Sequence, residues 1–535
     1  MPLSRLPYRN TGYFSPLICD LLDQHPALGE MIAQTISLKA FETQVQEKQT
    51  QFPHEHRKIV VESLRQQYKS TALSPSVKEN IALLEKPTTF TVTTGHQLNL
   101  LTGPLYFVYK IITTINLAQQ LKKAQPDFDF IPVFWMASED HDFEEISFFN
   151  FNNQKVKWVR ESHSAVGRLP LESLEPVLDL FEQKLGQSQA AQQLKLWIQN
   201  SYRSSSTLSE ATRKLVHELF SKNGLIILDA DRSELKRLFV PYVKNELEQE
   251  SCFKAVNQTV EQIQSNYSKA YKPQVNPREI NLFHLTDSLR QRIVKADNGF
   301  VLHETKQAFS MEEILTEVEQ FPERFSPNVL MRPLYQEVLL PNLCYIGGGG
   351  ELAYWLELKQ FFKTQNILFP LLLLRNSAVL VSSKIKQKIT RLEIDKKDLF
   401  LTRKALTDKK VAQISAIDLS LHPLKKQLTE QFNFLENLVS QTDASFEGAV
   451  RAQKQKQFKG IDRLEKRLLK AQRRKLNNQV ERLTLVQESI FPNNSLQERY
   501  ANFFEFYLEY GEDLLPQIME SLEPLQLEFS WIELS

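Results

Sequence analysis

The run Phe130-Ile-Pro-Val-Phe-Trp-Met-Ala137 empties directly into Ser138-Glu139-Asp140-His141-Asp142. An unbroken apolar stretch of this length predicts a strand buried on both faces, as in a parallel sheet. Open α/β sheets bind ligands just beyond the carboxyl ends of their strands. Three carboxylates and an imidazole crowded there repel one another and lose solvation, a cost that a cation, a metal or an amine-bearing substrate would offset. A second reading makes the same residues a capped helix start, with Ser138 or Asp140 at the N-cap and the acids favoured by the helix dipole.

Three other junctions share this grammar. The β-branched run Thr88–Thr94 leads into Gly95-His96-Gln97, and after Thr102-Gly103-Pro104 an amphipathic segment extends from Leu105 to about Lys123. Gly224–Asp231 reads as a short strand that again ends in acids. Leu343–Ile346 runs into Gly347-Gly348-Gly349-Gly350-Glu351, followed by a helical pattern and a buried strand, Ile367–Leu374, that stops at Arg375. Four of only 15 glycines stand here in a row. Glycine between a strand and a helix lets backbone N–H groups turn toward a phosphate or carboxylate. The run completes neither a phosphate-binding P-loop nor a dinucleotide fingerprint, and its alternative is a tight packing turn.

Composition bounds the rest. A chain of 535 residues, 42% hydrophobic, has ample core for several domains, and a net charge of +1 gives no global pull toward nucleic acid or membrane. The cysteines, Cys19, Cys252 and Cys344, are too sparse for a disulfide framework or a C-x-x-C metal pair, so a reducing cytoplasm is expected. The opening residues Met-Pro-Leu-Ser-Arg-Leu-Pro lack the charged and apolar regions of a secretory signal, so none is expected, and no apolar run is long enough to span a bilayer.

The chain divides as N-terminal helices and the first half of a doubly wound core (1–154), a helical insertion (155–222), core (223–254), a second insertion with short strands (255–328) and the second half of the core (329–383). An antiparallel helical coiled coil (384–490) and a helical return onto the core (491–535) follow. In the coiled coil, Leu424, Leu428, Leu435 and Leu438 keep a 4-3-4-3 spacing with Gln431 in the intervening seat. A second helix runs to about Glu488, with Ile461, Leu464, Leu468, Leu476, Val480 and Leu483 on its buried side. Such a hairpin is expected to pair with a second copy of the chain. Residues 451–482 carry twelve Lys or Arg against three acids, but only Phe458 among aromatics. A solvated face is favoured over nucleic-acid binding.

Together, Thr93-Thr-Gly-His-Gln97 with Leu101-Thr-Gly-Pro104, the Ser138–Asp142 junction, Gly347–Glu351 and the basic coiled coil resemble the bacillithiol biosynthesis cysteine-adding enzymes, in the same order and over almost the whole chain. The resemblance implies a Rossmann-like core with two connecting insertions and a dimerising coiled coil. It further implies a cysteine ligase that joins L-cysteine to the amine of glucosaminyl malate.

Amide formation requires an activated carboxylate, so ATP or another nucleotide is expected as cofactor, with metal dependence open. Gly347, Gly348, Gly349 and Gly350 are expected to supply backbone donors, while Gly95, His96 and Gln97 flank the reacting phosphate or carboxylate. The Gly95-His96 turn loosely resembles the His-Gly-His signature of class I synthetases and nucleotidyltransferases, with one of its two histidines present. Asp140 or Asp142 would hold an ammonium group, His141 would serve as base, and Glu351 would orient the amine. Arg375 and Lys384 are the candidates for the malate carboxylates. His96, Glu139, His141 and Asp142 form a candidate zinc set whose spacing fits no standard pattern. Two other function classes use the same features: a nucleotidyltransferase acting on another small molecule, and a non-catalytic coiled-coil or RNA-binding adaptor.

Overall fold

Five strands form a parallel sheet in the computed structural model, which describes residues 4–439 and 441–535. Met1 to Leu3, part of the N-terminal reading above, lie outside the described residues. The strands are β1 (Thr89–His96), β2 (Asp129–Met136), β3 (Ile226–Asp229), β4 (Asn342–Gly347) and β5 (Leu371–Leu374), and they lie side by side as β5-β4-β1-β2-β3. Every neighbouring pair is parallel. The chain steps outward from β1 to β3 and then resumes on the opposite side of β1. That reversal opens a crevice at the carboxyl ends of β1 and β4, where such sheets bind ligands.

Residues Phe130 to Met136 are all buried, as a central parallel strand requires. β1 is equally buried although rich in threonine, because its hydroxyls are satisfied. Thr91 and Thr93 donate to Asn342 Oδ1 at 3.3 and 2.9 Å, and Thr94 donates to the Ile346 carbonyl at 2.7 Å. Asn342 in turn donates to Glu337 Oε1 at 2.6 Å, and Lys48 pairs with the same carboxylate at 3.1 Å. This network fixes the pairing of β1 with β4.

Helix α1 (Tyr106–Ala124) and the helix Leu38–Gln51 supply Leu117, Leu121, Phe41 and Val45 to one apolar cluster with Val92, Ile346 and Leu371. The link from β1 to α1 turns at Gly103, whose φ of +58° and Cβ position only 2.5 Å from Asn99 Cβ require glycine. Helix α2 (Arg332–Leu339) precedes β4, and α3 (Gly349–Trp355) follows it.

The first insertion is helical, with Glu175–Leu185, Gln189–Ile198 and Leu208–Phe220. The second carries the helix Ser251–Asn266 and a five-stranded antiparallel sheet that includes Leu282–Leu285, Arg290–Ala296 and Phe325–Pro327. The C-terminal segment departs from the all-helical expectation. After three short helices it ends in the strand Glu528–Glu533, which pairs antiparallel with Ser4–Pro7. It is the middle strand of three, with Ala378–Val381 on its other side, and both partners are distant in the chain, so no local pattern announced it.

The chain resolves into two compact units, residues 1–380 with 496–534, and residues 381–495 with Ser535. The second unit contains α4 (Arg403–Ile414), α5 (His422–Val439), α6 (Ala444–Lys475) and α7 (Asn477–Ile490). Lys425 pairs with Asp462 and Glu465 at 2.9 and 2.8 Å, and Lys454 pairs with Glu436 at 2.7 Å, so α5 and α6 run antiparallel. Two details correct the expected seam. The buried seat is Phe432 rather than Gln431, while Leu424 and Leu464 are 45% and 54% exposed. The expected single long helix breaks at Leu476; α7 begins at Asn477, and further along it Gln487 donates to the Leu399 and Leu401 carbonyls. No helix among the described residues is long and apolar enough to cross a membrane.

Candidate active site

A cavity of about 640 Å³ opens at the carboxyl ends of β1 to β4. Gly95, His96 and Gln97 enter it from β1, the segment Trp135 to His141 from β2, Asp231 from beyond β3, and Tyr345 and Glu351 from β4 and α3. The second insertion supplies the facing wall, including Phe283, Arg278, Arg290 and Arg292.

His96 closes β1 with its ring stacked on Tyr106, centroids 5.2 Å apart. Its Nδ1 accepts the Gln97 backbone N–H at 2.7 Å, so the proton of the neutral ring resides on Nε2. That nitrogen is buried without a partner. Burial, reinforced by the nearby Lys110 charge, lowers the His96 pKa to about 3. His96 is therefore a neutral donor.

A pH dependence follows. An unfolded histidine titrates near 6.5, so the unfolded chain binds the extra proton between about pH 3 and 6.5. Stability is whole above that window and falls as pH drops through it, by up to ~1.4 kcal/mol per pH unit for this residue. Urea midpoints measured from about pH 4 to 8 are expected to show a shallower acid limb in His96→Phe than in the unaltered chain.

Lys110, on α1, is buried and reaches back to the Gly95 carbonyl and to Glu351 Oε2, the latter at 2.7 Å. Glu351 also accepts the Tyr345 hydroxyl at 2.6 Å and the Gly348 N–H at 2.8 Å. Burial alone would raise the Glu351 pKa, but the Lys110 charge and these donors outweigh it and hold it at about 2. The carboxylate thus ties β1, α1, β4 and α3 together beneath the cavity.

The acidic junction is equally organised. Asp140 Oδ1 accepts the backbone N–H groups of His141 and Asp142 at 2.7 and 3.2 Å, and its Oδ2 accepts Gln97 Nε2 at 2.8 Å. The same Gln97 amide bridges to Glu145 at 2.7 Å. Arg290 donates to His141 Nδ1 at 2.7 Å, and burial together with that charge lowers the His141 pKa. Glu139 is ion-paired with Lys236 and accepts the Ser326 hydroxyl at 2.9 Å.

Comparison with known proteins decides the family. A family model described as "Bacillithiol biosynthesis BshC, N-terminal Rossmann-like domain" matches residues 1–376, and its companion "C-terminal coiled-coil domain" matches residues 378–534. The chain belongs to the BshC family. A Flavobacterium johnsoniae protein is 50% identical over 532 residues, covering 99% of this chain and 100% of the relative. A Christiangramia forsetii protein is 49% identical over 99% of this chain and 98% of its own length, and a Bacillus cereus protein is 29% identical over 85% of each. Each of the three is named "Putative cysteine ligase BshC".

Within this BshC chain, Gly95, His96, Gln97, Glu139, Asp140, His141 and Glu351 line one cavity. Other expected site residues do not. Gly347 to Gly350 lie outside the lining. A Cβ at Gly347 would come within 3.1 Å of Tyr345, Glu351 and Leu352, and one at Gly349 within 3.3 Å of Ile18. Close packing explains these two glycines, and the anion at the start of α3 is the protein's own Glu351.

Asp142 is also outside the cavity. It caps the short helix Phe143–Ile146 through the Glu145 N–H at 3.3 Å, so the capping reading applies to it. Asp142→Ala is expected to cost about 1 kcal/mol of stability with turnover retained, read by urea denaturation beside product formation. His141 is a poor base, since its acceptor nitrogen already faces Arg290. Glu351 has its oxygens committed to three donors and is not free to orient an amine.

The zinc set is dispersed by these same bonds. Among the described residues no group of three or more His, Cys, Asp or Glu side chains is placed to hold a metal. Arg375 is buried against Glu498 at 2.7 Å, and Lys384 belongs to the helix Ser383–Arg391 of the second unit. The arginines that do line the cavity, Arg278, Arg290, Arg292 and Arg332, were not anticipated. Lys110 had a visible signal, a lone lysine within Phe107-Val-Tyr-Lys-Ile-Ile112. The arginines had none.

Proposed function

We propose that this chain joins L-cysteine to the amine of glucosaminyl malate, forming the amide of bacillithiol after activation of the cysteine carboxyl group by ATP or another nucleotide. One observation carries the reading: a single cavity at the β1/β4 reversal of a BshC chain offers both a neutral buried donor, His96 Nε2–H, and carboxylates, Asp140 and Glu145. The attacking amine needs a negative group to hold it and accept its proton; Glu145, held through Gln97 beside Asp140, is suited to that, while Asp140 has its own oxygens committed to three N–H donors. As the C–N bond forms and phosphate or a nucleoside monophosphate departs, charge grows on the acyl oxygen. A fixed donor there lowers the barrier. Arg278 and Arg292 replace Arg375 and Lys384 as the groups offered to the malate carboxylates.

The exposed apolar side chains Leu424, Phe434 and Leu464 on the helical unit support a homodimer formed through α5 and α6. The three free cysteines accord with a cytoplasmic setting. Deleting the gene in its bacterium is expected to remove bacillithiol and accumulate glucosaminyl malate, measured by mass spectrometry of extracts. Normal thiol levels without that accumulation would contradict the proposal.

A further inference from the structure

Three arginine or lysine side chains, Lys110, Arg332 and Arg375, act on one another against two carboxylates, the first two lining the cavity and Arg375 behind it. Lys110 pairs with Glu351 and Arg375 with Glu498, each at 2.7 Å. Arg332 has no ion pair of its own among the described residues: the Glu351 charge it feels is already paired with Lys110, and Tyr354 offers it only a neutral hydrogen-bond partner. No carboxylate among the described residues lies within ion-pair distance of its guanidinium. Nη1 donates to Gln336 Oε1 at 3.1 Å, and Nη2 is buried with no partner. The rings of Trp135 and Tyr345 lie 5.8 and 5.4 Å away, which favours a cation but supplies no counter-charge. Arginine does not discharge in a protein, so an ion withdrawn from water in this way calls for an anion.

The position of Arg332 indicates which anion. A Cβ placed on Gly95 would stand 3.6 Å from Arg332 Nη1, so the guanidinium lies against the backbone that presents His96. Among the residues that line the cavity, His96 Nε2–H is the other buried donor without an acceptor. Both residues line the same cavity.

We propose that Arg332 and His96 Nε2–H form one oxyanion subsite, which takes the carboxylate of cysteine or the phosphoryl group that activates it. This deepens the ligase reading, but it is tested by binding rather than by turnover. The full chain and its Arg332→Met variant are melted alone and with L-cysteine, cysteamine, ATP or inorganic phosphate. Without ligand, the variant is expected to melt at or above the unaltered protein, because an apolar chain replaces an unpaired ion. A rise in melting temperature with L-cysteine but not cysteamine identifies the carboxylate, and a rise with ATP and phosphate identifies the phosphoryl group.

In either case the rise is expected to vanish in Arg332→Met, with apparent affinity at least tenfold weaker. Gly95→Ala meets nothing closer than 3.4 Å, so it keeps the fold and is expected to blunt the same rise by crowding the anion. A lower melting temperature for ligand-free Arg332→Met, undiminished rises in both variants, or no rise in the unaltered protein would overturn the subsite. Rises that depend on Arg332 in a protein that makes no amide would leave the subsite standing and refute the ligase.

Discussion

Replacing Glu351 with alanine is expected to destabilise the chain by about 3–5 kcal/mol and to abolish turnover. The substitution strands Lys110, whose side chain is only 2% exposed and whose one carboxylate partner among the described residues is Glu351. It also frees the Tyr345 hydroxyl and the Gly348 N–H beneath the cavity. Native domains hold a margin of roughly 5–15 kcal/mol, so a loss of this size leaves little. The double variant Lys110→Met with Glu351→Leu separates the two effects. Exchanging a buried pair for apolar side chains is often near neutral, so stability should return to within about 2 kcal/mol. Turnover should not return, because the tether that positions the Gly95 carbonyl and His96 is gone. Urea denaturation and product formation, measured on the same preparations, check both arms. A Glu351→Ala loss below about 1 kcal/mol would show that the pair is not the anchor described.

The second large effect is kinetic. His96→Phe keeps an aromatic ring against Tyr106 while removing the Nε2 donor. Loss of a single fixed donor to a developing oxyanion costs about 10²–10³ in rate, and kcat/KM is expected to fall by that factor. The melting temperature at neutral pH should change by only a few degrees, since the neutral imidazole carries no charge to lose. His96→Gln, which restores an N–H near the same place, is expected to recover part of the activity. Turnover close to normal in His96→Phe would remove His96 from the reaction.

The sheet was legible because its strands are buried on both faces and therefore read as continuous apolar runs. Phe130 to Met136 needed no partner to be recognised, and the threonines of β1 were betrayed by their β-branching. Residues at strand ends were legible for the same reason. His96, Gln97, Glu139, Asp140 and Glu351 reach the cavity because the sheet delivers them there.

What failed depended on distance or on a single step of register. Asp140 and Asp142 differ by one local turn, and only the first enters the cavity. Arg375 looked available until Glu498, 123 residues away, was seen to occupy it. Phe432 rather than Gln431 takes the coiled-coil seat, a shift of one residue that 4-3 spacing alone does not resolve. The lining arginines come from an inserted sheet, the loop before it and α2, and only the folded chain brings them to β1.

A crystal structure of the full chain with L-cysteine, a non-hydrolysable ATP analogue and glucosaminyl malate shows directly whether one cavity holds both substrates. The cysteine carboxyl group is expected between His96 and Arg332, with the sugar amine beside Asp140 and Glu145. Cysteine and the aminosugar bound in separate places, or bound together away from the carboxyl ends of β1 and β4, would contradict that placement.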